Sequence, residues 1–314
     1  MYMRVVFMGT PAFARTILEA LLTEGYPVVG VVSQPDRPAG RGRRLTAPPV
    51  AELARERGIS LIQPERPQEP AALETLRSWA PDVIVVAAYG RILPPAVLHI
   101  PPKGCLNVHA SLLPRYRGPN PVAQAILDGV RETGVTIMLM DEGMDTGPVL
   151  AQRAVPVHGD DTTGSLMARL AEEGARLLIE TLPAWMAGAI EPQPQDASAA
   201  TYTRLMRKED GLVDWSQPAE QIWRHVRACM PWPGAYTYWN GQLLRLLEVR
   251  PLRAPLPPDS LPGDIMLVDG WPAVVAGDGL VCLRRLQLAG KNPVDGQAFV
   301  RGQRGFVGSR LGAS

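Results

Sequence analysis

Two polar residues in an apolar run, Asn107 and His109, are the first sign of chemistry in this chain. They stand in the segment "GCLNVHASLLPRYRG" (104–118), just before a turn rich in Pro, Gly and Arg. On a β-strand, residues i and i+2 point to the same face, so the amide and the imidazole would lie side by side with Val108 turned away. Such a pair is either a hydrogen-bonded pair of the core or part of a site.

A carboxylate follows the next predicted strand. The segment "VTIMLMDEGMDTG" (135–147) ends its strand near Asp141 and carries Asp145 into a glycine-flanked turn. Open parallel α/β sheets bind ligands at the carboxyl ends of their strands, and we expect loops after neighbouring strands to meet there. The spacing therefore predicts that Asn107, His109 and Asp145 share one crevice.

An amide, an imidazole and a carboxylate together suit the attack of an amine on a carbonyl carbon. The amide N–H and an imidazolium can stabilise the oxyanion that develops. The carboxylate favours the charged imidazole and can accept the proton of the amine, directly or through water. Ser111 does not stand in a G-x-S-x-G elbow, which disfavours a serine hydrolase. Gly9 lacks the rest of a G-x-G-x-x-G fingerprint, which disfavours a dinucleotide site and leaves a tight βα turn as its explanation.

The elements that must position these side chains alternate between strands and helices over the first two-thirds of the chain. Short apolar runs at 4–8, 27–35, 59–64, 82–90, 104–110 and 133–141 read as strands, with helical spacing between several of them. This order predicts an α/β fold with a doubly wound, mostly parallel sheet. The clearest amphipathic helix spans 162–188, and Thr162 or Thr163 is its expected cap.

The pattern changes after residue 190, which predicts three regions. Residues 1–190 form the α/β domain, and 191–206, with Pro, Gln, Ser and Ala but no periodicity, form a linker. Residues 207–314 contain short strand-like runs punctuated by Gly, Pro and Asp, which favours a small C-terminal β-barrel of OB-like type.

Composition excludes several classes of protein. The chain has 314 residues, 46% of them hydrophobic, and a formal charge of +1. Residues 1–206 carry 19 Lys and Arg against 21 Asp and Glu, whereas 207–314 carry 13 against 10. The three cysteines form no C-x-x-C, which argues against a disulfide framework or a metal cluster. No apolar run reaches membrane-spanning length and no leader segment is recognisable, so we expect a cytoplasmic protein without a membrane partner.

A basic segment follows the second predicted strand. The run "SQPDRPAGRGRRL" (33–45) has Asp36 as its one acid, and its arginines are Arg37, Arg41, Arg43 and Arg44. The segment is either a solvated mobile loop or a contact for phosphates, which arginines neutralise.

Four segments together resemble the methionyl-tRNA formyltransferases, within the folate-dependent formyltransferase family. They are "NVHASLLPRYRG", "VTIMLMDEGMDTG", "QPDRPAGRG" and "AAYGRILP", and the similarity runs over essentially the whole chain. It implies a formyltransferase-type sheet, 10-formyltetrahydrofolate as donor and the α-amine of methionine on initiator tRNA as acceptor, without a metal. It also implies a monomer that acts in translation initiation.

The resemblance assigns roles to individual residues. Catalysis falls to Asn107, His109 and Asp145. The folate-binding residues it implies are Ser111, Leu112, Leu113, Pro114, Tyr89, Gly90, Ile92 and Asp141. The implied tRNA-binding residues are Arg37, Arg41, Arg43 and Arg44, with further docking on the C-terminal barrel.

The chain departs from the family pattern at three positions. Ala12 stands where an Asp is expected, and Pro119 and Asn120 stand where small residues are expected. Rival functions are a sugar or purine-pathway formyltransferase, a formyl-folate hydrolase and a catalytically silent tRNA-binding protein. The presence of Asn107, His109 and Asp145 argues against the last of these.

Overall fold

The structure, a computed structural model, describes residues 3–39 and 44–312. Two compact units are present. The first comprises residues 1–121, 132–156 and 167–204, and the second comprises 122–131, 157–166 and 205–314. The domain boundaries at residues 190 and 206 stay a prediction. Two segments that precede residue 190, 122–131 and 157–166, belong to the second unit.

The described residues contain fifteen strands and eight α-helices. The strands are β1 (Val5–Gly9), β2 (Val28–Val32), β3 (Arg37–Ala39), β4 (Arg44–Thr46), β5 (Leu61–Ile62), β6 (Val83–Ala87), β7 (Cys105–His109), β8 (Glu132–Leu139), β9 (Val149–Pro156), β10 (Tyr236–Trp239), β11 (Gln242–Leu252), β12 (Ile265–Val268), β13 (Trp271–Val275), β14 (Leu280–Leu288) and β15 (Val294–Asp295). The helices are α1 (Ala12–Thr23), α2 (Pro49–Glu56), α3 (Pro70–Ser78), α4 (Pro95–Leu98), α5 (Pro121–Asp128), α6 (Thr163–Met186), α7 (Ala219–Ala228) and α8 (Gly296–Gly302).

The first unit is built on a seven-stranded sheet in the order β5-β2-β1-β6-β7-β8-β9. The five strands from β5 to β7 are parallel, which confirms the mostly parallel sheet. The strand that precedes Asp141 is different: β8 runs antiparallel to β7, and β9, which the sequence pattern did not predict, runs antiparallel to β8. We expected the segment from 140 to 148 to be a loop at the carboxyl end of a parallel strand. Because β8 is antiparallel to both of its neighbours, this segment is instead the connection of a β-hairpin.

Helices cover both faces of this sheet. On one face, Leu76 of α3 and Val97 of α4 pack in one cluster with Cys105 and the inward residues of β1 and β6. On the other face, a Cβ added at Gly174 of α6 would lie 2.8 Å from the Val108 side chain, so this helix packs closely on β7. Two further expectations are confirmed: Cys105 is a buried core residue, and the Ser165 N–H donates to Thr162 Oγ1, as a helix cap should.

The second unit contains the antiparallel sheet expected of a C-terminal barrel. Strands β10, β11, β14, β13 and β12 pair in that order, with β15 added to β14, and the sheet forms a half-barrel. Its core is an apolar cluster in which Trp239, Phe299 and Phe306 meet edge to face. Aromatic rings prefer this arrangement, because the positive ring edge faces the negative ring face.

Candidate active site

Strand β7 places Asn107 and His109 on one face, as their spacing predicts. Both side chains are largely buried, with 9% and 7% of their surface exposed. They share this face with Cys105, which the α3 and α4 helices cover. Val108 points to the opposite face and packs against α6. The pair therefore lies at the end of the strand, just beyond the region where the helices close the core.

The structure brings Asp145 to this pair. Asn107 Nδ2 donates to Asp145 Oδ1 over 3.3 Å, and His109 Nδ1 lies 3.7 Å from Asp145 Oδ2. The Gly118 N–H donates to the same Oδ2 over 2.8 Å. The carboxylate thus faces the amide and the imidazole together. An amide nitrogen carries two hydrogens, and the second N–H of Asn107 makes no hydrogen bond among the residues that the structure describes, so a ligand can accept from it.

The His109 ring is oriented by a main-chain group. Its Nε2 lies 3.0 Å from the carbonyl oxygen of Tyr116. A carbonyl oxygen can only accept, so Nε2 carries a hydrogen and Nδ1 is the atom that faces Asp145. When Nδ1 is also protonated, the ring is a cation held between the carbonyl and the carboxylate. This arrangement can stabilise negative charge that develops on a substrate oxygen.

The loop that follows β7 is held by residues that the sequence pattern did not reveal. Thr136 Oγ1 donates to the Ser111 carbonyl oxygen over 2.7 Å and accepts from the Leu113 N–H over 3.1 Å. Gln152 Nε2 donates to the Leu113 carbonyl oxygen over 2.7 Å. Thr136 carried a weak signal, as a hydroxyl within the apolar run of β8, whereas Gln152 lies on the strand that was not predicted.

The side chains of this loop differ in accessibility. Ser111 is fully buried and its hydroxyl donates to the Arg115 carbonyl oxygen over 2.7 Å. Leu113 is buried, whereas Leu112 and Pro114 are half-buried. Of the four residues, Leu112 and Pro114 present the side chains that a ligand could contact.

The segment after β6 offers an apolar side chain and main-chain groups. Tyr89 is buried in the core, burial raises its pKa to about 12, and its hydroxyl has no partner among the residues that the structure describes. Its carbonyl oxygen accepts from Thr10 and Gln34. Gly90 is exposed and Ile92 is 74% exposed. A ligand here would contact Ile92 and the main chain, not the Tyr89 ring.

Asp141 lies at the start of the β8–β9 connection and is exposed. Its Oδ1 accepts from the Gly143 N–H over 3.0 Å and from Thr146 Oγ1 over 2.7 Å. One of its oxygens therefore shapes the connection that carries Asp145.

The basic segment is partly a hairpin. Strands β3 and β4 pair antiparallel, and both Arg37 and Arg44 are exposed. Arg41 and Arg43 lie outside the described residues. Asp36, the one acid of the segment, pairs with Arg55 at 3.2 Å, and Arg37 lies 3.2 Å from Glu65. Both charges are therefore paired with residues outside the segment.

The structure shows the local environment of Ala12, Pro119 and Asn120, the three residues that depart from the family pattern. Helix α1 begins at Ala12 after Pro11, with no side-chain cap and no acid in its first turn. Pro119 is exposed, and α5 begins at Pro121. The Asn120 side chain donates to the Arg204 carbonyl oxygen over 2.8 Å. None of the three contacts Asn107, His109 or Asp145 through a hydrogen bond found within residues 3–39 and 44–312.

Two kinds of feature are absent from the same described residues. No group of three or more His, Cys, Asp and Glu side chains there is arranged to hold a metal ion. No helix in the part of the chain that the structure describes is long and apolar enough to span a bilayer.

Comparisons with known proteins show which family the chain belongs to. The Formyl transferase family model matches residues 3–182, and the model of the Formyl transferase C-terminal domain matches residues 205–304. The methionyl-tRNA formyltransferase of Roseiflexus sp. (strain RS-1) is 52% identical over 99% of this chain and 96% of its own length. That of Dehalococcoides mccartyi (strain ATCC BAA-2266 / KCTC 15142 / 195) is 47% identical over 99% of both chains.

A solved structure supports the fold alone. HypX from Aquifex aeolicus, crystallised in complex with tetrahydrofolic acid, superposes with a TM-score of 0.65 at 22% identity, over 98% of this chain and 49% of that chain. Two matching family models and near-full-length relatives are decisive: the chain belongs to the formyl transferase family and, within it, to the methionyl-tRNA formyltransferases.

Proposed function

We propose that this protein transfers the formyl group of 10-formyltetrahydrofolate to the α-amine of methionine carried by initiator tRNA. Family membership over nearly the whole chain supports the reaction class. The observation that carries the proposal is the Asp145 carboxylate, which faces the Asn107 amide and the His109 imidazole at the same time.

The first step is the attack of the amine on the formyl carbon. A C–N bond forms, and the electrons of the carbonyl double bond move to oxygen. The free N–H of Asn107 and the charged ring of His109 stabilise this oxyanion. Asp145 accepts the proton that the amine loses, directly or through water.

The second step breaks the bond to the donor. The oxyanion reforms the carbonyl, the bond between carbon and N10 of the folate breaks, and N10 takes the proton from Asp145. The products are formyl-methionyl-tRNA and tetrahydrofolate, and no proton is gained or lost overall. A nucleophilic side chain is not needed, because the amine itself attacks.

Donor binding falls to the segments around the site. The loop formed by Ser111, Leu112, Leu113 and Pro114 is fixed by Thr136 and Gln152, which favours a preformed surface. Tyr89 anchors this segment through its carbonyl oxygen, and Gly90 contributes main-chain groups. Ile92 contributes an exposed apolar side chain, and Asp141 an accessible carboxylate. Apolar contacts with a few placed polar groups are typical of small-molecule sites.

Acceptor binding falls to the basic hairpin and to the C-terminal half-barrel. Exposed arginines at Arg37 and Arg44 are suited to phosphate contacts, and Arg41 and Arg43 lie between them in sequence. The protein acts in translation initiation as a cytoplasmic monomer. Size-exclusion chromatography with light scattering gives its mass in solution and so tests the monomer.

The decisive experiment is a formylation assay with purified protein. The protein is incubated with 10-formyltetrahydrofolate and methionyl initiator tRNA, and formyl-methionine is measured after deacylation. Parallel reactions contain an amino sugar nucleotide, glycinamide ribonucleotide or water alone as acceptor. Formate release without tRNA, or formylation of another amine at a higher kcat/KM, would contradict the proposal.

A further inference from the structure

The side chain of Gln195 lies between the two loops that carry the site. Its Nε2 donates to the carbonyl oxygens of Asp145, over 2.9 Å, and Gly147, over 2.7 Å. Its Oε1 accepts from Arg117 Nε over 3.1 Å and from Arg117 Nη2 over 2.8 Å. Both hydrogens and the oxygen of the amide are used, so the orientation of the side chain is fixed.

Arg117 is the centre of the loop that contacts His109 and Asp145. The residue before it, Tyr116, accepts from His109, and the residue after it, Gly118, donates to Asp145. Arg117 is only 4% exposed. Its N–H donates to the Thr201 carbonyl oxygen over 2.8 Å, and its own carbonyl oxygen accepts from the Thr203 N–H, also over 2.8 Å. The segment expected to be a linker therefore holds this loop in place.

Asp145 needs such support because its backbone is left-handed. Its φ is +55°, a conformation uncommon for residues other than glycine. Such a conformation persists when surrounding contacts over-determine it. Gln195 binds the carbonyl of Asp145 itself and the carbonyl two residues later, so it constrains the turn that aims the carboxylate.

We propose that Gln195 is a positioning residue, which couples the Arg117 loop to the Asp145 turn and holds the carboxylate against Asn107 and His109. This inference rests on the proposed function for the role of Asp145. A displacement of about 1 Å in a catalytic group can cost about 10²-fold in rate. Loss of Gln195 should thus slow the chemical step while leaving the donor surface intact.

The test replaces Gln195 with Met, which keeps the length of the side chain and removes the amide. Gln193→Met is the matched control, because Gln193 is exposed and, within the described part of the chain, its side chain donates only to the nearby Glu191 carbonyl oxygen, over 3.1 Å. We expect Gln195→Met to lower kcat by about 10- to 100-fold with an unchanged donor KM, and the control to match wild type. Gln195→Glu should be slow too, since a carboxylate still accepts from Arg117 but cannot donate to the two carbonyls.

Double mutants separate positioning from general damage to the fold. Asp145→Asn keeps the backbone carbonyl that Gln195 binds but removes the carboxylate that it positions. In the Asp145→Asn background, Gln195→Met should therefore change kcat by less than about twofold. An equal loss in both backgrounds, or a fully active Gln195→Glu variant, would overturn the proposal.

An independent readout does not depend on activity. The chain has four histidines, so the ring resonances of His109 can be assigned in a ¹⁵N-edited spectrum by comparison with His109→Ala. Gln195→Met should shift these resonances and Gln193→Met should not, because Asp145 faces the His109 ring. Unchanged resonances in Gln195→Met would contradict the inference. If the wild-type protein transferred no formyl group, the proposed function would be wrong. The spectrum would still show whether Gln195 positions Asp145 against the His109 ring.

Discussion

At the scale of single residues, one carboxylate of the candidate site faces three groups. Asp145 accepts from the Asn107 amide and the Gly118 N–H, and it faces the His109 ring. Gly118 allows this contact: its φ is +104°, and a Cβ there would lie 2.8 Å from the Thr203 carbonyl oxygen. Each side chain therefore has a separate role that a substitution can test.

His109→Ala should leave the fold intact and reduce kcat by about 10²-fold or more, the scale for loss of one oxyanion donor. The measurement is kcat for methionyl-tRNA formylation, with circular dichroism as the check on folding. His99→Ala is the control, because His99 is an exposed histidine at the end of α4. Near-normal turnover in His109→Ala would refute the assigned role.

Asp145→Asn keeps the size of the side chain and removes its charge. We expect folate binding to survive while kcat falls steeply, because the proton acceptor is lost and the transition state is affected more than the ground state. Donor affinity is measured by fluorescence titration and kcat by formylation. Glu142→Gln, an exposed carboxylate of the same connection, is the control. Weaker donor binding with an unchanged kcat would make Asp145 a binding residue instead.

At the scale of elements, the parallel strands of the first unit are accompanied by two antiparallel hairpins, β8–β9 at one edge of the main sheet and β3–β4 as a separate sheet. The β8–β9 connection carries Asp145, and the β3–β4 hairpin carries the exposed arginines. Residues 139 and 106 are paired across β7 and β8, so the connection must run back along β7 to bring Asp145 to His109. Its path depends on the left-handed turn at Asp145 and on Gln195.

We expect the β3–β4 hairpin to contribute to tRNA binding. Arg37→Ala with Arg44→Ala should weaken tRNA binding and reduce its salt slope by about 0.7–0.9 for each phosphate that is no longer neutralised, because fewer counterions are released. Binding is measured at several salt concentrations, together with donor binding, which should not change. Arg176→Ala is the control, since Arg37 and Arg176 have the same 59% side-chain exposure and both pair with a glutamate. Unchanged salt slopes in the double variant would show that these two arginines do not contact phosphates.

At the scale of the whole molecule, each of the two units has buried apolar clusters that stabilise it. The second unit contains the half-buried His225, which lies 3.6 Å from the Cys229 thiol. Burial lowers the pKa of His225 below its ordinary value of 6.5, and a backbone hydrogen bond at Gly211 and the charge of Asp210 act in the opposite direction. Burial raises the pKa of Cys229 to about 12, so the thiol stays neutral near pH 6.

This histidine makes stability sensitive to acid. Because its pKa is lower in the folded state, the unfolded chain binds more protons below about pH 6.5, and stability falls as the pH drops through the folded pKa. We expect the Tm of wild type to fall between pH 7.5 and pH 5.5, and His225→Gln to show a smaller fall over the same interval. His99→Gln, at an exposed position, should behave as wild type does. Parallel pH curves for wild type and His225→Gln would exclude this contribution.

The sequence by itself determined the α/β class and the pair on β7. Alternation of apolar runs with helical spacing reports which faces are buried, and a period of two puts Asn107 beside His109 in any strand. The segment similarities pointed to the family, which the comparisons establish. These properties are local, so neighbouring residues suffice to reveal them.

Only the tertiary structure decided how the site is assembled. The direction of β8 depends on its partners, and its apolar pattern is the same in a parallel or an antiparallel strand. Gln195 acts on Asp145 from 50 positions away, within a segment that has no periodicity. Thr136 and Gln152 reach the loop after β7 through hydrogen bonds between elements. Such contacts leave no pattern in the sequence, because a hydrogen bond between distant residues requires only that the fold bring one donor to one acceptor.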